Sequence, residues 1–145
     1  MELVEYRPAI NRPLAPLCSV CIAHYRGPEL LATCLDSLLE QDCDFEFEII
    51  VHDDASNDGS LEFLSREYPQ VEVLASVENV GFCVSNNRMV DHSRGKFVLL
   101  LNNDAALFTD ALSALAKEAG HNPSGILSLP QYDWESGELV DRGCL

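Results

Sequence analysis

Three short polar clusters carry residue types from which an active site could be built. They are His24-Tyr25-Arg26, the acidic loop opening with Asp53-Asp54, and Asn102-Asn103-Asp104. Each directly follows an apolar run. Carboxylate and amide oxygens in such places suit the holding of a hard divalent cation together with a polar ligand. The charge balance narrows this reading. At a formal net charge of −15 the surface repels nucleic acid and anionic lipid. It would repel a diphosphate as well, unless a bound cation reversed the local sign. Asp104, at the tip of the most apolar run, is placed to hold one. The glycine signatures of other phosphate binders are missing, with no G-x-G-x-x-G after the first run and no G-x-x-x-x-G-K-[ST] anywhere.

Two simpler metal readings are weaker. Asp54, Ser56 and Asp58, with Gly59 in sixth place, match the start of a calcium loop, but position twelve is Ser65 rather than a bidentate Glu. Asp53 to Asp58 would instead end a strand and open a helix, with Ser56 or Asp58 as the cap. Cys18 and Cys21, two of the six cysteines, form a CxxC with no second pair to complete a site. They fall on an expected strand, where residues three apart face opposite ways. Buried thiols are the better reading.

The elements that must position these clusters are legible from periodicity. Apolar runs at 17–23, 45–52, 71–74 and 96–101 read as strands, the last expected at the centre of the sheet because it is the most apolar. Pro28 opens a helix whose Leu31, Cys34, Leu35, Leu38 and Leu39 form one stripe. Further helices are expected at 60–68, at 82–93, and from a Thr109 cap to 119 with Gly120 ending it. Two short strands at 126–129 and 138–140 follow, around a turn at 135–137. Residues 1–16, with Pro8, Pro13 and Pro16 and no periodicity, read as a lead-in. Strands alternating with helices predict an α/β fold with a mostly parallel sheet. In such sheets ligands bind beyond the carboxyl ends of the strands, where all three clusters would meet. At 145 residues and 47% hydrophobic the chain fits one globular domain. No apolar run nears the roughly 20 residues of a membrane helix, and no signal peptide opens the chain. The expected location is the cytoplasm, peripheral to the inner membrane face through regions outside this chain.

The same residues also resemble a known family. Ser19-Val20-Cys21-Ile22-Ala23-His24-Tyr25-Arg26 is similar to the S-V-x-I-P-x-Y-N strand of inverting family 2 glycosyltransferases. The stretch 53–59 resembles their D-D-x-S-x-D-G loop. Asn79, Gly81, Phe82, Asn86 and Asn87 resemble N-x-G-F-x-x-x-N-N, and 95–104 resembles G-x-x-x-x-x-L-x-x-D with its DxD-type metal triplet. The likeness spans residues 17–145, and four motifs in order make it specific.

The resemblance implies a GT-A fold, truncated, and a nucleoside-diphosphate sugar donor. Asp53 would accept N3–H of a uracil or thymine ring, with Asp54 lining the same pocket. The backbone around Ala23 and Tyr25 would hold base and ribose, and Asn103 would sit beside the donor. Asp104, with Asn102, would bind Mg2+ or Mn2+ on the diphosphate. The Asn-Asn-Asp triplet is most similar to rhamnosyltransferase-like members, pointing to a dTDP- or UDP-linked donor. Acceptors in such enzymes are hydroxyls of a glycan, a lipid-linked sugar or a protein. Departures are Ala23 for the family proline, Asn86 for a common Arg with Arg88 nearby, and Asn102 for the first Asp of the triplet. The general base is expected beyond Leu145, so this chain would hold the donor site without the acceptor region. The alternative is a catalytically inactive GT-A-like interaction module, and a truncated sheet would also favour self-association.

Overall fold

The computed structural model describes residues 4–142. Its main sheet has five strands: β1 (Val4–Arg7), β2 (Cys18–His24), β3 (Phe47–Asp53), β4 (Glu72–Ser76) and β5 (Phe97–Leu100), in the order β1-β4-β3-β2-β5. β2, β3, β4 and β5 run parallel, and β1 is antiparallel to β4. Between them lie α1 (Pro28–Leu39), α2 (Ser60–Glu67) and α3 (Phe82–His92). α4 (Ala111–His121) follows β5, and a separate hairpin pairs β6 (Gln131–Tyr132) with β7 (Leu139–Asp141). The expected α/β, mostly parallel architecture is present.

The core lies on both faces of β2 and β3. Val20, Ile22, Ile49 and Val51 pack with Leu31, Leu35 and Leu38 of α1, Leu64 of α2 and Leu112 of α4. On the other face Cys21, Ile50 and Leu74 pack with Met89 of α3. Each fully buried aliphatic side chain contributes about 1.5–3 kcal/mol. These contacts are what hold the strand ends in place. The expected stripe of α1 is buried at Leu31, Cys34, Leu35 and Leu38, whereas Leu39 is 47% exposed. It is the last residue of the helix.

Four sequence expectations need correction. The strand at 96–101 is an edge strand here, paired only with β2 among the described residues. Leu99 and Leu101 face the core, but Val98 and Leu100 are exposed. Apolarity reports that a strand is coverable on both faces, not where it stands in the sheet. No strand forms at 126–129, where Ile126 is 99% exposed, and the hairpin pairs β6 with β7 instead. Gly120 lies inside α4 rather than capping it, and α4 starts after Asp110 without a side-chain cap from Thr109. Finally, the stretch read as a lead-in contains β1, which closes the β4 edge.

A polar cluster fixes this N-terminal arm at the end of the sheet away from the three motif clusters. Arg12 bridges two buried carboxylates, Nε to Glu72 at 2.7 Å and Nη2 to Glu48 at 3.3 Å. The Tyr6 hydroxyl donates to Glu72 at 2.6 Å, and Ser19 Oγ and the Arg94 N–H donate to Glu48 at 2.6 and 2.7 Å. Next to them Gly95 passes so close to β2 that a Cβ would lie 2.5 Å from the Ser19 nitrogen. Only glycine fits, and this contact sets where β5 begins.

Candidate functional site

Because β2, β3, β4 and β5 are parallel, their carboxyl ends share one side of the sheet, and there a cavity of about 320 Å3 opens. Ala23, Tyr25, Asp54 and Asn103 line it, as do Gly81 and Ser85. Four of the expected donor-site residues thus come together. Asp53 does not reach the cavity wall. It is 1% exposed, its Oδ2 accepts the Ser56 N–H at 3.2 Å, and its Oδ1 is buried without a partner.

Asp54 is the carboxylate that faces the cavity. Its Oδ1 accepts the Val80 N–H at 2.7 Å and its Oδ2 the Gly81 N–H at 2.8 Å. Asn79 Nδ2 donates to the Asp54 carbonyl at 3.3 Å. Two neighbouring N–H groups gripped by one carboxylate hold the 78–81 loop against the end of β3. Gly81, at φ 86° and ψ 166°, then turns the chain into α3 in a conformation that disfavours any side chain. The first residues of α3 thereby form the far wall.

The 53–59 loop is ordered by short-range bonds. Ser56 Oγ accepts the Arg26 N–H at 2.9 Å, and Asp58 accepts the N–H groups of Gly27 and Ser60 at 3.0 and 3.1 Å. The loop therefore ties the end of β2 to the start of α2. Gly59 holds the N-cap position rather than Ser56 or Asp58, and Asp58 accepts the first helical N–H from one residue further back. Desolvation would raise the Asp58 carboxyl, but hydrogen bonds from the Ser60 hydroxyl and from the Gly27 and Ser60 N–H groups hold it below its ordinary range.

His24 lies between the clusters, 1% exposed, with Nδ1 3.1 Å from Asn103 Nδ2 and Nε2 2.9 Å from Ser60 Oγ. Burial lowers its pKa below the ordinary histidine value, although Asp53, Asp58 and Glu29 pull the other way. His52, on the opposite face, is lowered by burial and by Arg88, whose Nη1 is 3.2 Å from its ring.

The triplet after β5 forms a turn in which the Ala105 N–H donates to the Asn102 carbonyl at 3.2 Å. Asn102 and Asp104 are exposed, while Asn103 is half-buried. No group of three or more His, Cys, Asp or Glu among the described residues could hold a metal by itself. Asp104 thus offers one free-standing carboxylate. That fits Mg2+ or Mn2+, which are commonly held by one or two carboxylates with phosphate oxygens and water, provided the diphosphate is present. The CxxC thiols do not compete. Cys18 packs on the α1 face and Cys21 on the α3 face. Burial pushes them up to about 11 and about 12, which keeps them protonated.

Sequence reasoning missed Ser85, whose hydroxyl is buried, unpartnered and on the cavity wall. It lies one turn past Gly81, so helical spacing from the N-x-G-F match could have found it.

The mostly parallel sheet with flanking helices is a GT-A fold, as in the solved structures that it matches. More particularly, the chain belongs to glycosyl transferase family 2, whose profile matches residues 19–142. It is 29% identical over 142 residues to a hyaluronan synthase of Pasteurella multocida, covering 86% of this chain and 14% of that protein. Residues 1–349 of S. aureus TarS, solved with UDP-GlcNAc, superpose with TM-score 0.65 at 24% identity, covering 82% of this chain and 38% of that one. The mannosyltransferase PcManGT of Pyrobaculum calidifontis, solved with GDP-Man and Mn2+, gives 0.62 at 24% identity, covering 75% and 35%. The chain therefore spans well under half the length of each of these proteins. No described helix is long and apolar enough to cross a membrane.

Proposed function

We propose that this chain is the donor-binding part of a glycosyltransferase that takes its sugar from a UDP- or dTDP-linked donor. The observation that carries this is the convergence of Ala23, Tyr25, Asp54 and Asn103 on one cavity at the strand ends. Asp54 is the better placed of the two aspartates to accept N3–H of the base, since it lines the cavity and Asp53 does not. Each Asp54 oxygen takes one backbone N–H, and a carboxylate has about four acceptor positions, which leaves room for a further donor. The Ser85 hydroxyl has no other partner and faces the same space.

In the reaction, the acceptor oxygen bonds to the anomeric carbon, the bond from that carbon to the diphosphate oxygen breaks, and the diphosphate leaves with the electron pair. The acceptor hydroxyl belongs to a glycan, a lipid-linked sugar or a protein, and its proton passes to a base supplied from beyond Leu145. Asp104, with Asn102, would hold a divalent cation, whose role is to offset charge on the departing diphosphate. The formal net charge of −15 makes that neutralisation favourable for binding as well as for departure.

The test is calorimetric titration with UDP and dTDP, each with and without Mn2+, on this chain and on Asp104→Ala. Binding strengthened by Mn2+, with that gain lost in Asp104→Ala, is the expected result. A well-folded chain that binds neither nucleotide under any condition would favour the inactive interaction module instead.

A further inference from the structure

The turn that presents Asp104 has Asn103 and Asp104 at its centre, closed by the 3.2 Å bond between Ala105 and Asn102. Its residues alternate, Asn102 outward, Asn103 inward and Asp104 outward. How Asn103 is held therefore decides how Asp104 is presented.

The Asn103 amide lies 3.1 Å from His24 Nδ1. An amide N–H can donate only to a ring nitrogen that carries no proton, so this bond selects one tautomer, Nδ1 bare and Nε2 protonated. Nε2 then donates to Ser60 Oγ at 2.9 Å, Ser60 donates to Asp58 Oδ1, and Asp58 Oδ2 accepts the Gly27 N–H at 3.0 Å. Each donor in the series faces an acceptor. The series links the ends of β2 and β5 to the start of α2, which are the same places the three motif clusters occupy. Position 24 falls on an unspecified x of the S-V-x-I-P-x-Y-N pattern, so the motif itself gives it no role.

We propose that His24 is a positioning residue for the cation-holding turn, keeping Asn103 inward so that Asp104 faces the diphosphate. This rests on the donor-site reading above. Any buried histidine needs its ring nitrogens bonded, so satisfaction alone assigns no role. What points to positioning is the choice of partners, Asn103 in the cation-holding turn and Ser60 at the start of α2, so that one ring joins that turn to the 53–59 loop through Asp58.

The experiment compares the unaltered chain, His24→Phe and Ser60→Ala by titration with uridine and with UDP, the latter with and without Mn2+. His24→Phe keeps a ring and removes both nitrogens, while Ser60→Ala keeps the imidazole and frees its far side. The expected result is uridine affinity within about twofold in all three. The Mn2+-dependent gain in UDP affinity should fall at least about fivefold in His24→Phe, and less in Ser60→Ala. An unchanged gain in both variants would overturn the proposal. So would a parallel loss of uridine and UDP binding, which is what a purely structural role produces. Should His24→Phe fail to fold, Ser60→Ala decides alone. Absence of UDP binding by the unaltered chain would instead overturn the donor-site reading, and this inference with it.

Discussion

Asp53 and Asp54 are adjacent in sequence and chemically identical, yet the fold gives them different tasks. The strand alternation turns Asp53 under the 53–59 loop, where it holds the Ser56 N–H, and leaves Asp54 on the cavity wall gripping Val80 and Gly81. Asp54→Asn should therefore weaken uridine binding about tenfold or more, since an amide oxygen replaces only half the acceptor capacity and one loop N–H faces a donor. Asp53→Asn should act mainly on thermal stability, with uridine affinity changed little. Calorimetry and a melting curve on both variants separate the two, and the reverse ranking would return the base-reading role to Asp53. At this scale Ala23, Tyr25, Asp54 and Asn103 sit in recognisable sequence patterns, and the structure brings them to one cavity. The sequence did not show which of two neighbouring carboxylates faces the ligand, because that depends on where β3 ends. Nor did it show Ser85, a small residue with nothing distinctive about its type.

The elements themselves were mostly legible, and the exceptions share a cause. β2, β3, β4 and the first three helices follow from apolar periodicity, because each is buried by its immediate neighbours in sequence. β1 was missed because its four residues pair with a strand far along the chain and half of them stay exposed. Its attachment relies on charge as well as on the packing of Val4 against Cys21, Ile50, Leu74 and Met89. Arg12 has a side chain 21% exposed, and it lies between Glu48 and Glu72, both 1% exposed. Removing it leaves two buried carboxylates with less compensation. Breaking such a pair costs about 3–5 kcal/mol when fully buried, and the partial exposure of Arg12 places Arg12→Ala toward the lower end. Urea denaturation should show this loss, and hydrogen exchange should show faster opening of β1 than of β2 or β3. Uniform loss of protection across the sheet would show instead that the arm is integral to the core. The edge position of β5 was equally hidden, since Val98 and Leu100 look like core residues until a covering element is absent.

For the molecule as a whole, buried ionisable groups set the response to pH. His24 and His52 both have pKa values lowered below the ordinary 6.5, chiefly by burial. The unfolded chain therefore binds more protons than the folded one once pH falls below about 6.5, and stability declines from there toward acid. Burial alone would raise Glu48, but hydrogen bonds from Ser19 and the Arg94 N–H, with the charge of Arg12, hold it below its ordinary 4.5. Its contribution is present above that value and is lost as pH drops through the lowered pKa. Melting temperature should thus fall in two stages, first from about pH 6.5 and again below about 4.5, with the first stage reduced in His52→Gln. A melting temperature flat between pH 7 and 5 would contradict this. The pairing of β1 with β4 also has a consequence in time. Val4 meets Ser76, so about 70 residues separate the partners. At a synthesis rate of about 5–20 residues per second, β1 waits roughly 4–14 s on the ribosome before its partner exists. During that wait β2 and β3 can already be paired, so β1, although made before them, docks after them. A nascent chain stalled before residue 72 would leave that arm open to proteases and chaperones, and one stalled well beyond residue 76 would not.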